Sequence, residues 1–137
     1  MEMKMDQSSE IIQLNIGGTQ YTTTFRTLCR ESDSIFPKIL SENTNFDKFE
    51  SAISRLSDGT IFIDRDGEIF IYILDYLRTG KLILPDNFKE TARFREEVLF
   101  YQLTDLNKIL TPYYNLKYPT KLLNNGVSAN ALGETGM

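Results

Sequence analysis

The sequence predicts a single mixed α/β (α+β) domain, in which short strands form a small sheet flanked by a cluster of helices. Three observations lead to this prediction. Apolar and polar residues alternate over 12–16, as they do in a half-buried strand. Apolar residues recur with helical spacing over 67–79 and again over 92–103. A chain of 137 residues, of which 41% are hydrophobic and 25% charged, suits one domain with one core.

The first predicted element is a β-hairpin. The alternation that ends at Ile16 is interrupted by Gly17-Gly18 and resumes over 21–25. Adjacent glycines supply the positive φ angles that a tight hairpin turn needs. A phosphate-binding loop would instead need more glycines and the N-terminus of a helix directly after them. We therefore favour the hairpin turn.

Short helices and a long loop are predicted next. Residues 25–32 indicate a short helix or turn, and Asp33-Ser34 offers an N-cap for a helix over 35–40. The segment 41–59 is polar and irregular. We predict that it forms a long loop with at most one helical turn.

Phe46 and Phe49 lie three residues apart in that loop, so one turn of helix would present both together. They have two interpretations. Single apolar side chains are common on protein surfaces, and these two can fold back onto their own domain. Alternatively they bind a partner, because aromatic side chains are typical anchors of protein interfaces.

A buried strand is predicted over 60–64 and a helix over 67–79, and the triplet Asp64-Arg65-Asp66 joins them. Two nearby carboxylates invite a catalytic interpretation, because such pairs perform acid–base chemistry or bind magnesium. The structural interpretation is that Asp64 ends the strand and Asp66 caps the helix. Carboxylates are common at helix caps, so we favour the structural interpretation and expect no catalytic residue, metal or cofactor.

The helix over 67–79 is predicted to be central to the domain and to end at Gly80 in a left-handed conformation. Its apolar positions cover most of its circumference; they are Phe70, Ile73, Leu74 and Leu77, with Ile69, Tyr72 and Tyr76 beside them. Ile71 falls on the polar side, between Asp75 and Arg78. A neighbouring element or a second subunit must therefore cover Ile71.

After Gly80, residues 81–84 indicate a short strand that Pro85 stops, and Asp86 or Asn87 would cap a further helical region. Both faces of that helix are predicted to be buried; one carries Phe94, Val98 and Tyr101, and the other carries Ala92, Leu99 and Leu103.

Thr104 is predicted to cap a last helix, which Pro112 terminates. The end of the chain is small, polar and without periodicity. We therefore predict a flexible N-terminus over 1–10, the domain over 11–112, and a flexible C-terminal tail or linker stub over 113–137.

Composition argues against several functions. The net charge of -4 and the isoelectric point near 4.9 oppose binding to nucleic acid or to an anionic membrane. The chain has no apolar run long enough to cross a bilayer and no secretory signal, so we expect a cytoplasmic protein. It contains no histidine and one cysteine, Cys29, which excludes histidine-dependent catalytic triads and zinc sites.

Three segments together carry a family resemblance: L-N-I-G-G-T-Q-Y-T-T-T-F-R-T-L (14–28), I-D-R-D-G-E-I-F-I-Y-I-L-D-Y-L-R-T-G-K-L (63–82) and F-K-E-T-A-R-F-R-E-E-V-L-F-Y-Q-L (88–103). They resemble the signature blocks of the BTB/POZ domain, in the potassium-channel tetramerisation (T1) and KCTD branch. The resemblance implies a domain that assembles with itself into a homotetramer or homopentamer. It implies an adaptor for a cullin-type ubiquitin ligase or, alternatively, the cytoplasmic tetramerisation domain of a voltage-gated potassium channel.

The resemblance also implies a set of site residues. The predicted subunit contact includes Asn15, Arg26, Thr27, Asp64, Arg65, Asp66 and Arg78, to which we add Ile71 because of its polar helix face. Phe46 and Phe49 are predicted to contact a cullin scaffold. The chain departs from the family where Gly67 replaces the usual proline after the charged triplet. It also lacks the histidine and cysteines of the zinc motif found in several channel T1 domains.

Overall fold

The computed structural model describes residues 7–41, 46–49 and 51–119. Within these ranges the chain forms four strands and five α-helices, which confirms the mixed α/β prediction. The strands are β1 (Ile11–Ile16), β2 (Thr19–Thr24), β3 (Ile53–Arg55) and β4 (Ile61–Ile63), and the helices are α1 (Phe25–Leu28), α2 (Ile35–Ile39), α3 (Phe70–Thr79), α4 (Thr91–Phe100) and α5 (Thr104–Lys117). Short 3₁₀ turns lie at Gln7–Ser9 and Phe46–Phe49. We expected residues 1–10 and 113–137 to be flexible. Most of these residues, namely 1–6 and 120–137, lie outside the described ranges.

The strands form one mixed sheet in the order β2-β1-β4-β3. β1 and β2 form the predicted hairpin and pair antiparallel along their full length. Its turn has positive φ angles at both glycines, 58° at Gly17 and 104° at Gly18. Phe25 does not continue β2, because the Thr24 hydroxyl accepts a hydrogen bond from the Thr27 N–H and caps α1 there.

The hydrophobic core joins the sheet to the helices. Alternate residues of β1 and β4 are buried in it; they are Leu14, Ile16, Ile61 and Ile63. The rings of Phe36 on α2 and Tyr101 after α4 stack with their centroids 5.2 Å apart. The Phe70 ring of α3 lies 5.3 Å from the Tyr101 ring, so α3 is central, as predicted.

The sequence predicted the first and the last residue of α3, and the structure corrects the first. α3 begins at Phe70 and not at residue 67. The Asp66 carboxylate accepts a hydrogen bond from the Ile69 N–H at 3.0 Å, so Asp66 closes the turn before the helix. Gly80 ends α3 in the left-handed conformation, as predicted.

Two strand predictions are wrong. β3 lies within the segment 41–59 that we expected to be a loop, and the sequence hides it because Ile53 alone among its three residues is buried. Residues 81–84 form no strand, since nothing within the described ranges pairs with them. Leu82 and Leu84 pack against the core while Ile83 is 59% exposed, so alternating burial arises here without a sheet.

α4 begins at Thr91, because Asp86 and Asn87 lie in a separate turn. Its predicted core stripe, Phe94, Val98 and Tyr101, is fully buried. The prediction that both faces are buried is wrong: Leu103 is buried just beyond the helix, but Ala92 is half-buried and Leu99 is 43% exposed. The described residues therefore cover the second face of α4 only in part.

α5 passes through Pro112 and ends at Lys117, so proline does not terminate it. Proline removes one helical hydrogen bond, the one to the Lys108 carbonyl. Both residues are exposed, so water can satisfy that carbonyl. Thr104 does not cap α5 with its side chain either. No helix in the described ranges is long and apolar enough to span a bilayer.

The cap of α5 is the carboxylate of Glu31, which no pattern in the sequence singled out. Glu31 is 5% exposed. Its two oxygens accept hydrogen bonds from the backbone N–H groups of Asp105 and Leu106, at 3.1 and 2.9 Å. The hydroxyl of Tyr76 on α3 also donates to it, at 2.8 Å. Glu31 therefore joins α5 to α3 through buried and part-buried hydrogen bonds.

Candidate functional site

The charged triplet and the hairpin turn form one wall of a surface depression of about 600 Å³. We call it the acidic depression. Its lining residues are Gly17, Thr19, Asp64, Arg65, Asp66, Gly67, Glu68, Arg93 and Glu97. The depression thus combines the start of β2, the connection from β4 to α3, and one side of α4.

Close backbone packing holds the triplet against the hairpin. A side chain at Gly67 would collide with the Ile16 carbonyl oxygen and the Thr19 side chain. The hydroxyl of Tyr21 donates a hydrogen bond to the Gly67 carbonyl at 2.7 Å. Glycine at position 67, which has no Cβ, therefore lets the two turns approach each other directly.

Arg65 is occupied within its own chain. Its guanidinium donates two hydrogen bonds to the Glu97 carboxylate, at 2.9 and 2.8 Å, and lies 4.4 Å from the centroid of the Phe100 ring. Glu97 is 8% exposed, so this pair ties α4 to the triplet in a partly desolvated setting. Replacing Arg65 with glutamate would place two carboxylates together. Such a variant would lose stability within its own chain, whatever its effect on contact with a partner.

Sequence reasoning missed Glu97. It lies among several charged residues of a helix whose two faces both looked apolar, so no spacing distinguished it from Glu96. A charged residue next to the core stripe of Phe94 and Val98 was the one available signal.

The remaining carboxylates of the acidic depression differ in exposure. Asp66 accepts a hydrogen bond from Arg93 at 2.6 Å, in addition to the one from Ile69. Asp64 and Glu68 are exposed, and within the described residues they form no ion pair. Their charges are therefore available to an approaching partner.

A second, basic depression of about 260 Å³ lies where α1 meets the end of α3. Its lining residues are Arg26, Thr27, Arg30, Leu77 and Arg78. The Arg30 side chain donates a hydrogen bond to the Leu77 carbonyl at 2.8 Å, which fixes it beside the C-terminus of α3. Arg26 and Arg78 are exposed, and Arg78 contacts Asp75 at 3.6 Å.

The predicted contact residues therefore fall into two groups. Asp64, Arg65 and Asp66 line the acidic depression, and Arg26, Thr27 and Arg78 line the basic depression. Two others line neither. Asn15 accepts a hydrogen bond from the Gly18 N–H at 2.7 Å and supports the hairpin turn. Ile71 is half-buried on α3.

Phe46 and Phe49 share a 3₁₀ turn, so the predicted helical turn is present among the described residues of this segment. Their ring centroids lie 6.4 Å apart, edge to face. Both side chains are half-buried and pack against the core, and the Arg55 guanidinium lies 5.6 Å from the Phe46 ring centroid. Part of each ring remains available at the surface beside β3.

Two observations concern metal binding and nucleophilic chemistry in the described residues. Within them, no group of three or more cysteine, aspartate or glutamate side chains is arranged to hold a metal ion. Cys29 is half-buried, and burial raises the pKa of its thiol to about 11. At neutral pH this thiol is therefore protonated and a poor nucleophile.

Comparison with known proteins identifies the family of this chain. Residues 12–110 match the BTB/POZ domain family model. The chain is 39% identical over 106 residues to a potassium channel regulatory protein of Homo sapiens, which is 77% of this chain and 36% of that protein. It is 41% identical over 102 residues to BTB/POZ domain-containing protein KCTD21 of Mus musculus, which is 74% of this chain and 36% of that protein.

The chain thus spans about a third of the length of these curated relatives. The matched residues include all four strands described above except the first residue of β1, and helices α1 to α4 in full. The resemblance found in the three sequence segments is confirmed. The chain belongs to the BTB/POZ family, in its KCTD branch, a family of domains that in general self-associate and bind other proteins.

Proposed function

We propose that this domain is a homo-oligomerising, non-enzymatic protein–protein interaction domain that acts in the cytoplasm as a KCTD-like adaptor for a cullin-type ubiquitin ligase. One observation supports the proposal of self-assembly. The acidic and basic depressions have opposite charge and lie at opposite ends of the same two elements, β2 and α3.

The chain direction supports this arrangement. β2 begins at Thr19 in the acidic depression and runs directly into α1, which carries Arg26. α3 follows Glu68 of the acidic depression and ends beside Arg78 of the basic one. Ten helical residues span on the order of 15 Å. One copy therefore cannot bring its own two depressions together, whereas a neighbouring copy can.

Pairing the acidic depression of one copy with the basic depression of the next is a head-to-tail contact. Such a contact is heterologous and builds a closed ring when the rotation between copies divides a full turn. The proposed ring contains four or five copies. The charged side chains at such a contact determine how the copies are oriented and how fast they associate. Each exposed ion pair contributes less than about 1 kcal/mol to the free energy of association.

The native mass tests self-assembly. At micromolar concentration, light scattering is expected to return about four or five times the chain mass of 15.8 kDa. Raising the salt concentration from about 0.1 M to about 1 M shortens the Debye length from about 10 Å to about 3 Å, so the assembly should dissociate more readily. A monomer at every salt concentration contradicts self-assembly, and a dimer contradicts the ring.

Binding to a cullin scaffold is proposed to use Phe46 and Phe49. Replacing both with alanine should weaken binding at least about tenfold, because truncating a buried aromatic anchor costs about 2 kcal/mol or more. Calorimetric titration of the ring with a cullin N-terminal fragment measures this. Tyr113→Ala is the matched control, since Tyr113 is 54% exposed on α5 and its removal should leave binding unchanged.

Both rings also pack against the core, so the double variant should lose some thermal stability. The titration is therefore run well below the unfolding temperature of the variant. Equal affinity for the folded variant and the wild type would exclude these residues from the contact. Absence of heat from the wild type at high micromolar concentration would reject the cullin partner and leave self-assembly intact.

The alternative is a tetramerisation domain of a voltage-gated potassium channel. It is kept because one relative is named a potassium channel regulatory protein. Mixing with a channel T1 domain distinguishes the two proposals: mixed rings favour the channel, and separate rings favour the adaptor.

A further inference from the structure

The arginines of the basic depression have more hydrogen-bond donors than their own chain uses. Arg26, Arg30 and Arg78 line it, and each guanidinium carries five N–H groups. Arg30 donates from Nε to the Leu77 carbonyl, and Arg78 reaches Asp75 at 3.6 Å. Among the described residues, the Arg26 side chain has no hydrogen bond and no ion pair. Most of these donors therefore have no partner in the described part of the chain.

Two elements hold the three arginines at one place. Arg26 lies on α1, and Arg30 follows one helical turn later, where its backbone N–H donates to the Thr27 carbonyl at 3.2 Å. Arg78 lies in the last turn of α3. The Arg30 guanidinium also lies against Gly80, where a Cβ atom would come within 3.1 Å of Nη1. The Arg30 guanidinium is therefore held in place before any ligand arrives, which lowers the entropic cost of binding.

The charge of this surface favours an anion. The chain as a whole has a net charge of -4, yet no carboxylate is among the described residues that line the basic depression. The C-terminus of a helix normally repels anions, because its last carbonyl groups are unpaired. Here the Leu77 carbonyl is already bonded to Arg30, so a positive side chain covers that end of α3. An anion can also compete with Asp75 for Arg78, because an exposed ion pair is weak.

The size and the donor geometry of the basic depression suit a phosphate group. Its volume of about 260 Å³ is smaller than the roughly 300–1,000 Å³ of pockets for drug-sized ligands. Guanidinium groups bind phosphate oxygens in a planar, bidentate geometry. A phosphate group also carries more negative charge than a single carboxylate. A small phosphate-bearing anion therefore matches both the size and the charge of this surface.

We propose that the basic depression binds a small soluble anion that carries a phosphate or diphosphate group. Arg26 and Arg78 contact its oxygens, and Arg30 donates to them from its two terminal nitrogens. One consequence rests on the self-assembly proposed above. The anion would occupy the surface that the acidic depression of a neighbouring copy faces, so bound anion would oppose assembly of the ring.

Calorimetric titration with pyrophosphate at constant ionic strength tests the binding on single chains. Asp64→Lys is the background, because this substitution in the acidic depression is expected to dissociate the ring and leaves the basic depression intact. In this background, Arg26→Gln should weaken pyrophosphate binding at least about tenfold, since it removes charge-assisted hydrogen bonds. Lys108→Gln removes an exposed positive charge on α5 and should change the affinity by no more than about twofold. Equal affinity of these two variants, or no binding at millimolar pyrophosphate, would overturn the proposal.

The native mass tests the consequence for assembly. Light scattering of the wild type is compared in pyrophosphate and in sodium chloride of equal ionic strength, and the mass should be lower in pyrophosphate. Equal masses of an intact ring would reject competition with a neighbouring copy. A single chain in both salts would reject self-assembly, and the titration alone then decides the anion site.

Sedimentation with vesicles that contain phosphatidic acid distinguishes a lipid headgroup from a soluble anion. The Asp64→Lys protein is expected to stay in the supernatant, because the net charge of the chain opposes an anionic membrane. Co-sedimentation that Arg26→Gln abolishes would assign the phosphate to a lipid and overturn the soluble ligand.

Discussion

Glu31→Ala is expected to lower the free energy of unfolding by about 3 kcal/mol. The substitution removes a buried carboxylate that accepts hydrogen bonds from two backbone N–H groups of α5 and from Tyr76. Two of the donors, the Leu106 N–H and the Tyr76 hydroxyl, would then be buried without a partner, which costs more than the loss of the bonds alone. Urea unfolding followed by circular dichroism measures the change, at one protein concentration because assembly itself stabilises the folded chain.

Two variants control this measurement. Glu31→Gln keeps the shape and one acceptor oxygen, so its loss of stability should be smaller than that of the alanine variant. Glu96→Ala removes an exposed carboxylate from α4 and should change stability by no more than about 0.5 kcal/mol. If Glu31→Ala matches the Glu96 variant, the cap contributes nothing to stability.

Arg78→Glu is expected to reduce the assembly to single chains. The substitution places a carboxylate in the basic depression, where the head-to-tail contact brings the carboxylates of the acidic depression, so an attraction at this position becomes a repulsion. Asp64→Lys should have the same effect from the acidic side. Arg78 and Asp64 are both exposed, so circular dichroism of each variant should stay close to the wild type, and the unfolding temperature should fall only by the stabilisation that assembly provides.

Mixing the two variants provides the decisive control. In the mixture, the unchanged Asp64 of one variant can face the unchanged Arg78 of the other. The two substituted positions can also face each other, and there both charges are reversed, so attraction is kept and association should return. Alternation of the two variants closes a ring of four, whereas a ring of five would retain one repulsive contact. Lys108→Glu changes an exposed charge on α5, away from both depressions, and should leave the mass unchanged. If mixing restores nothing while each variant stays folded, the two depressions do not pair.

Local chemistry made several elements predictable. The Gly17-Gly18 turn requires positive φ angles, and Ser34 caps α2 by accepting a hydrogen bond from the Phe36 N–H at 3.3 Å. Gly80 ends α3 for a comparable local reason. Each signal acts over a few residues, so a single sequence displays it completely.

The candidate site was predictable in part. The family resemblance predicted Asp64 and Arg78 as subunit contacts, which stays a prediction, and the structure places them in two oppositely charged depressions. Arg65 was expected at the surface contact, but its partner Glu97 lies 32 residues away, and no local pattern connects the two. Whether Arg65 also reaches a neighbour stays a prediction.

The mixed α/β class, the hairpin, the central helix and the family could all be read from the sequence, because they depend on periodicity, turn chemistry and ordered motifs. Only the three-dimensional packing revealed which polar groups form hydrogen bonds within the chain. Glu31 caps a helix 74 residues further along, and α5 passes through Pro112 because its exposed position lets water replace the missing hydrogen bond. Contacts between residues far apart in the chain depend on packing, and hydrophobic periodicity does not encode them.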